Sequence, residues 1–153
     1  MLLGPANTPG DTLVWLPNEH VLATGDIVVG PVPYMFNVYP AEMLKAFDRI
    51  RKFDFRVMIP GHGARQATHV YLDQLSNLVR DVREQIVTLV RQKLTLEQVQ
   101  AKMDGTPYRQ VFTHGDPWLG FWFDNYTWGP LVESAFHEAR GDPLGPAPVQ
   151  KVN

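Results

Sequence analysis

The feature that most constrains the fold of this chain is a pair of short apolar strands. Each strand runs into a glycine, which is followed by a residue able to bind metal. The first ends in Ala23-Thr24-Gly25-Asp26, and the second, after a helical run, ends in Val57-Met58-Ile59-Pro60-Gly61-His62-Gly63. Strand ends fix side-chain direction better than free loops do, and carboxylate and imidazole are both zinc ligands. The pattern predicts that Asp26 and His62 lie together at adjoining strand ends. A turn-capping role for Asp26 and a hydrogen bond of His62 within its glycine turn are the alternatives.

The hydrophobic pattern predicts an α/β fold of short, mostly antiparallel strands followed by C-terminal helices. Two antiparallel strands are expected at 13–16 and 20–23, with a further strand at 55–59. Thr95 and Gln98 have the spacing of a capping box, which predicts that one helix ends and another begins there. Helices are expected at 41–51, 66–94, 95–103 and from Pro130 to about Arg140.

Aromatic side chains are concentrated in two segments. Prolines 31, 33 and 40 exclude a regular helix from 30–40, so this segment is expected to be extended or looped and to pack its aromatic residues. The segment 106–129 carries eight aromatic residues among few charges. Such density predicts a packing surface covered either by the rest of the chain or by a partner.

Composition excludes several classes of protein. The chain has 153 residues, enough for one domain with a sizeable core, and its 44% hydrophobic and 20% charged residues argue against disorder. No apolar run reaches the length of about 20 residues that a membrane-spanning helix needs, so a soluble protein is expected. A net charge of −2 gives no broad positive field for nucleic acid. The absence of cysteine leaves the cellular compartment open.

The motifs in the first 65 residues resemble those of a known family. The runs Thr8-Pro9-Gly10-Asp11-Thr12, Thr24-Gly25-Asp26 and Pro60-Gly61-His62-Gly63, in this order, are similar to the C-terminal half of a metallo-β-lactamase-fold hydrolase. The resemblance implies half of an αββα sandwich. It divides the chain into a β/α half at residues 1–65, a helical extension packed on it at 66–141, and a Pro-rich flexible tail at 142–153.

The resemblance also implies a site with one or two zinc ions, where metal-activated water attacks an ester, amide, lactam or thioester. The aspartate that matches Asp26 lies between the metals in the family, and the histidine that matches His62 binds one of them. A loop beside the family's substrate cleft corresponds to Tyr34, Met35 and Phe36. These three residues are therefore candidates for substrate contact, the alternative being that they only cover the core.

Two departures from the family limit this expectation. The His-x-His-x-Asp-His motif, which supplies most of the family's ligands, does not occur in the 153 residues. Asn7 stands where the family usually has a ligand histidine, and a neutral amide oxygen is a poor zinc ligand. Of the other histidines, only His114 lies in a predicted turn.

Two functions are compatible with these observations. The chain is either the C-terminal half of a zinc-dependent hydrolase, inactive until another polypeptide or an intact precursor supplies the missing half, or a metal-free structural or binding module. The second hypothesis predicts a homodimer formed through the exposed sheet and the aromatic surface. The start of the chain lacks the features of a secretory signal and is expected to enter the middle of a fold.

Overall fold

The computed structural model describes residues 1–144, so most of the predicted tail at 142–153 lies outside the described residues. The fold is α/β, with short, mostly antiparallel strands followed by helices, as predicted. The strands are β1 (Leu2–Gly4), β2 (Asp11–Thr12), β3 (Val14–Leu16), β4 (Val21–Val29) and β5 (Val57–His62). The helices are α1 (Pro40–Ile50), α2 (Val70–Arg91), α3 (Leu96–Lys102), α4 (Thr106–Thr113), α5 (Pro117–Trp122), a π-helical segment (Phe123–Trp128) and α6 (Gly129–Arg140).

The principal sheet has the strand order β3-β4-β5, in which β3 and β4 are antiparallel and β4 and β5 are parallel. The pairing confirms the predicted hairpin at 13–23. Leu22 and Met58 on one face are fully buried against the helices. Strand pairing aligns six residues on the opposite face, all of them apolar: Val14, Leu16, Val21, Ala23, Val57 and Ile59.

This second face of the sheet is only partly covered within residues 1–144. Val14, Leu16 and Ile59 are 55%, 46% and 46% exposed, and the three residues between them are half-buried. An antiparallel sheet with one solvated face normally alternates apolar and polar residues. The apolar outer face is instead typical of a sheet that packs against another layer.

The expectation that the two site strands stop at their glycines is wrong. β4 continues beyond Gly25 to Val29, and β5 includes Gly61 and His62. Gly25 has a φ of +54°, and the pairing with β5 shifts register on both sides of it. Strand β4 resumes after this irregularity because Ile27 and Val28 are buried in the core. Asp26 therefore projects from a bulge within a strand.

The predicted helices form, but α2 (Val70–Arg91) is shorter at both ends than the predicted helix at 66–94. The long helix α2 begins at Val70, not at residue 66, because Gln66 instead makes two backbone hydrogen bonds with Met58, each of 2.8 Å. The capping box at Thr95 and Gln98 is confirmed. Helix α6 ends at Arg140, and the φ of +76° at the next residue, Gly141, suits glycine after a helix C-terminus.

A single cluster of buried side chains joins the strands to the helices. Phe47 of α1 and Leu78 of α2 are fully buried in it, as is Phe123 of the aromatic segment. That segment therefore contributes to the core, while Trp118 and Phe121 remain exposed. Among residues 1–144, no helix has both the length and the apolarity to cross a membrane.

Glu138 connects three helices and provides a test of the fold. Its carboxylate accepts a hydrogen bond of 2.8 Å from the backbone N–H of Ala41, at the start of α1, and one of 2.6 Å from Arg83 of α2. We expect Glu138→Ala to lower the free energy of unfolding by about 2–3 kcal/mol, since it leaves a half-buried guanidinium and a helix N-terminus without their partner. Urea denaturation measures this loss.

Glu133→Ala is the matched control for that experiment, because Glu133 is exposed on the same helix. Its effect should stay within about 0.5 kcal/mol. Equal losses for the two variants would show that the contacts of Glu138 do not stabilise the fold.

Candidate functional site

The parallel pairing of β4 and β5 brings Asp26 and His62 together. Asp26 Oδ1 lies 3.6 Å from His62 Nε2, and the two side chains are 52% and 71% exposed. Both remain accessible to a ligand. The predicted proximity is observed, whereas their role as metal ligands stays a prediction.

Glycines on either side of His62 allow this approach. A Cβ atom on Gly61 would lie 2.0 Å from Asp26 Oδ1 and 2.9 Å from Asp26 N. A Cβ atom on Gly63 would lie 2.5 Å from the carbonyl oxygen of Gly30. The backbone N–H of Gly30 donates a hydrogen bond of 3.0 Å to the carbonyl of His62. The close contact of the two strands therefore depends on the lack of a side chain at Gly61 and Gly63.

Asp26 and His62 line an open cleft of about 680 Å³. The remainder of the lining is mostly apolar and comes from the loop after β4, from α5 and from the π-helical segment. Apart from Asp26 and His62, it consists of Val29, Gly30, Pro31, Val32, Pro33, Tyr34, Trp118, Leu119, Trp122 and Tyr126. A largely apolar cleft with a few convergent polar groups is typical of small-molecule sites.

One wall of the cleft is a row of aromatic rings. Trp118, Trp122 and Tyr126 follow each other at intervals of four residues along α5 and the π-helical segment. The rings of Trp118 and Trp122 pack edge to face with centroids 5.7 Å apart, and those of Trp122 and Tyr126 are 4.5 Å apart. The aromatic density of this segment is evident from the sequence, but its position beside Asp26 and His62 is not.

The three residues proposed for substrate contact lie in different environments. Tyr34 lines the cleft, and Phe36 packs against Tyr34 and Tyr126 beside it. Met35 is only 2% exposed, and its backbone N–H donates to the carbonyl of Tyr126. A side chain so buried fills the core under the loop and does not form the cleft surface, so the expectation of direct contact is corrected for Met35.

Tyr71 of α2 holds the loop that forms the other wall. Its hydroxyl donates to the carbonyl of Val29 at 2.6 Å, and the carbonyl of Pro31 lies 3.2 Å away. Burial raises the pKa of Tyr71 well above its usual range. The phenol therefore stays protonated, and able to donate, even in alkaline solution where an exposed tyrosine would ionise.

The geometry of the pair suits part of a zinc shell. Two ligands of one tetrahedral zinc ion, each about 2.1 Å from the metal, are roughly 3.4 Å apart. The separation of 3.6 Å between Asp26 Oδ1 and His62 Nε2 is close to this value. Catalytic zinc generally takes three protein ligands, yet among residues 1–144 no three His, Cys, Asp or Glu side chains are placed so that they could hold one metal ion together. The described residues fit two positions of the shell and do not complete it.

The other candidate ligands do not complete the pair. Asn7 is only 9% exposed, and within the described part of the chain its Oδ1 has no hydrogen-bond partner. His114 lines a second cavity and not the cleft. His20 and His137 lie beside the carboxylates of Asp54 and Asp142.

Comparison with known proteins agrees with this architecture. Residues 1–62 match the profile of the metallo-beta-lactamase superfamily. The linear primary-alkylsulfatase of Pseudomonas sp. (strain ATCC 19151) is 23% identical in an alignment of 122 positions that covers 71% of this chain and 23% of that protein. The stereoselective inverting sec-alkylsulfatase Pisa1 from Pseudomonas sp. superposes with a TM-score of 0.65 at 15% identity, over 90% of this chain and 23% of that one.

The superfamily resemblance predicted from the motifs is thereby confirmed for residues 1–62, which match the metallo-beta-lactamase superfamily profile. Members of this superfamily generally use zinc. A double mutant of the sec-alkylsulfatase superposes equally well. The chain spans about a quarter of the length of these relatives.

Proposed function

We propose that this chain forms the C-terminal part of the catalytic unit of a zinc-dependent hydrolase that cleaves alkyl sulfate esters. The observation that carries the proposal is the pair Asp26 and His62, 3.6 Å apart, at an apolar cleft of about 680 Å³. A polar pair beside an apolar cavity suits a substrate with one charged end and one apolar end. Both related enzymes act on such substrates by name.

In this proposal Asp26 and His62 supply two zinc ligands, and the others come from a segment bearing the His-x-His-x-Asp-His motif. That segment belongs either to the same polypeptide or to another one. The apolar outer face of β3, β4 and β5 supports this arrangement, because it offers a surface for a second layer. The buried Oδ1 of Asn7 supports it as well. An unpaired buried polar group costs about 1–3 kcal/mol, which a donor from that segment would remove.

The chemistry follows from the composition of the site. Bound zinc would lower the pKa of a water molecule toward neutrality and so supply the nucleophile. Lysine and arginine are absent from the residues that line the cleft. The negative charge of a sulfate group would therefore be balanced by the metal and by residues of the second segment. The aromatic wall of Trp118, Trp122 and Tyr126 would bury the alkyl part and exclude water from it.

A metal-free module that forms a homodimer is the alternative. It is favoured by the six aligned apolar residues of the sheet and by the exposed aromatic pair Trp118 and Phe121. In that case the outer sheet face would be covered by the same face of a second copy of the chain. Sedimentation equilibrium of the isolated chain distinguishes the two, since the alternative requires a dimer that persists without metal.

The proposal is tested by combining this chain with a polypeptide that carries the missing motif; we call this combination the assembled protein. With zinc present, the assembled protein should hydrolyse dodecyl sulfate to dodecanol and sulfate, and Asp26→Asn should reduce the rate on the order of 100-fold. Asp54→Asn is the matched control, because Asp54 is exposed and pairs with His20 elsewhere. Hydrolysis that persists at full rate in Asp26→Asn would refute the proposal.

A further inference from the structure

A second cavity of about 390 Å³ adjoins the cleft beside Asp26 and His62. The two spaces share three lining residues, Gly30, Pro31 and Leu119. The second cavity extends on the far side of these residues toward Val111 and Phe112 of α4. Its lining is mainly apolar, so it is suited to an apolar group. We call the three shared residues the partition, and Leu119 has the largest side chain among them.

Specific contacts hold both sides of this partition. On one side, the hydroxyl of Tyr71 donates to the carbonyl of Val29, and the carbonyl of Pro31 lies 3.2 Å from the same hydroxyl. On the other, the backbone N–H of Leu119 donates to Asp116 Oδ1 at 2.9 Å, which caps α5. The partition is therefore held in place at both ends. A wall that selects ligands by shape must be rigid in this way.

Helix α5 is also locked against α4. The guanidinium of Arg109 lies so close to Gly120 that a Cβ atom there would be 2.0 Å from Arg109 Nη2. The same guanidinium bonds Asp124 at 3.0 Å. A shift of α5 that opened the partition would have to break these contacts. Because these contacts hold α5 beside α4, the side chain of Leu119 is the part of the boundary between the two cavities that a substitution can remove without moving the helix.

We propose that Leu119 is a specificity-determining residue, which closes the cleft against the second cavity so that the site accepts one unbranched alkyl arm. The inference rests on the proposed function, because it assumes an alkyl ester as the ligand. A sulfate attached to an inner carbon carries two alkyl arms. The second arm would need the space behind Leu119, and a longer unbranched chain would not.

Binding of two isomeric ligands tests the proposal directly. Isothermal titration of the full 153-residue chain, with chelator present, compares n-decyl sulfate with 5-decyl sulfate. We expect the native chain to bind the unbranched isomer about tenfold more tightly, which is within the range that apolar pockets achieve. Leu119→Ala should strengthen binding of 5-decyl sulfate about tenfold and change that of n-decyl sulfate by less than about threefold.

Two further variants control for folding. Leu119→Ala combined with Val111→Phe should restore the native preference, because Val111 lines only the second cavity and a phenyl ring there would fill it. Phe121→Ala should keep the native preference, since Phe121 lies on the same helix, is exposed and lines neither cavity. Circular dichroism verifies that each variant is folded.

The proposal is overturned if folded Leu119→Ala keeps the native ratio of affinities, if the native chain binds the two isomers equally, or if it binds neither. These results are separate from those for the proposed function. Loss of hydrolysis in the assembled protein with the binding ratio intact contradicts the hydrolase alone. Hydrolysis with an unchanged ratio in Leu119→Ala contradicts only the role of Leu119.

Discussion

Replacing His62 by alanine is expected to lower the zinc affinity of the assembled protein on the order of 100-fold or more. Residues that only orient a metal ligand typically contribute 10- to 100-fold, roughly, so the loss of a ligand itself should reach at least the top of that range. His62 is 71% exposed, and its removal should leave the fold intact. Competition with a chromophoric chelator measures the affinity, and a thermal melt verifies the fold.

His114→Asn is the matched control for this experiment. His114 is exposed in a left-handed conformation with φ of +49°, which asparagine also tolerates, and it lies outside the cleft. Its replacement should leave the zinc affinity unchanged. Equal losses in both variants, or no loss in His62→Ala, would remove His62 from the proposed metal site.

Adding a single methyl group at Gly61 is expected to disturb the site as strongly as the loss of His62 does. The new Cβ atom of Gly61→Ala would lie 2.0 Å from the carboxylate of Asp26 and 2.8 Å from the backbone carbon of Gly25. The carboxylate can rotate away, but the backbone of β4 must move as well. We expect the free energy of unfolding to fall by about 1–3 kcal/mol and zinc affinity of the assembled protein to fall with it.

Gly10→Ala separates this effect from a general intolerance of glycine replacement. A Cβ atom on Gly10 would meet no atom within 4 Å, and its φ lies outside the left-handed region. This control should be neutral or stabilise by up to about 1 kcal/mol, because alanine restricts the unfolded chain. If Gly61→Ala behaved like Gly10→Ala in both measurements, the close contact of β4 and β5 would not be what positions Asp26.

The sequence predicted the local elements of the site well. Short apolar runs before Gly25 and Gly61 indicated adjacent strands, and the observed pairing of Ala23 with Ile59 places them side by side. The capping box at Thr95 likewise predicted a helix start from local chemistry alone. Each apolar strand run and the capping box are signals carried by neighbours in sequence, where side-chain type determines backbone conformation.

What could not be predicted depends on contacts between distant residues. Helix α2 starts late because Gln66 bonds to Met58, and β4 passes through Gly25 because Ile27 and Val28 reach the core. The position of Trp118 opposite Asp26 depends on how α5 packs, which periodicity does not reveal. The family resemblance makes Met35 a candidate for substrate contact, although the loop turns its side chain into the core.

The central claim is that this chain contributes two zinc ligands to a site completed from elsewhere, and metal content after equilibrium dialysis against zinc tests it most directly. The account predicts no stoichiometric zinc in the isolated chain. It predicts at least one equivalent in the assembled protein, lost when Asp26 and His62 are both replaced by alanine. One tightly held equivalent in the isolated chain, or zinc in the assembled protein that survives both replacements, would contradict it.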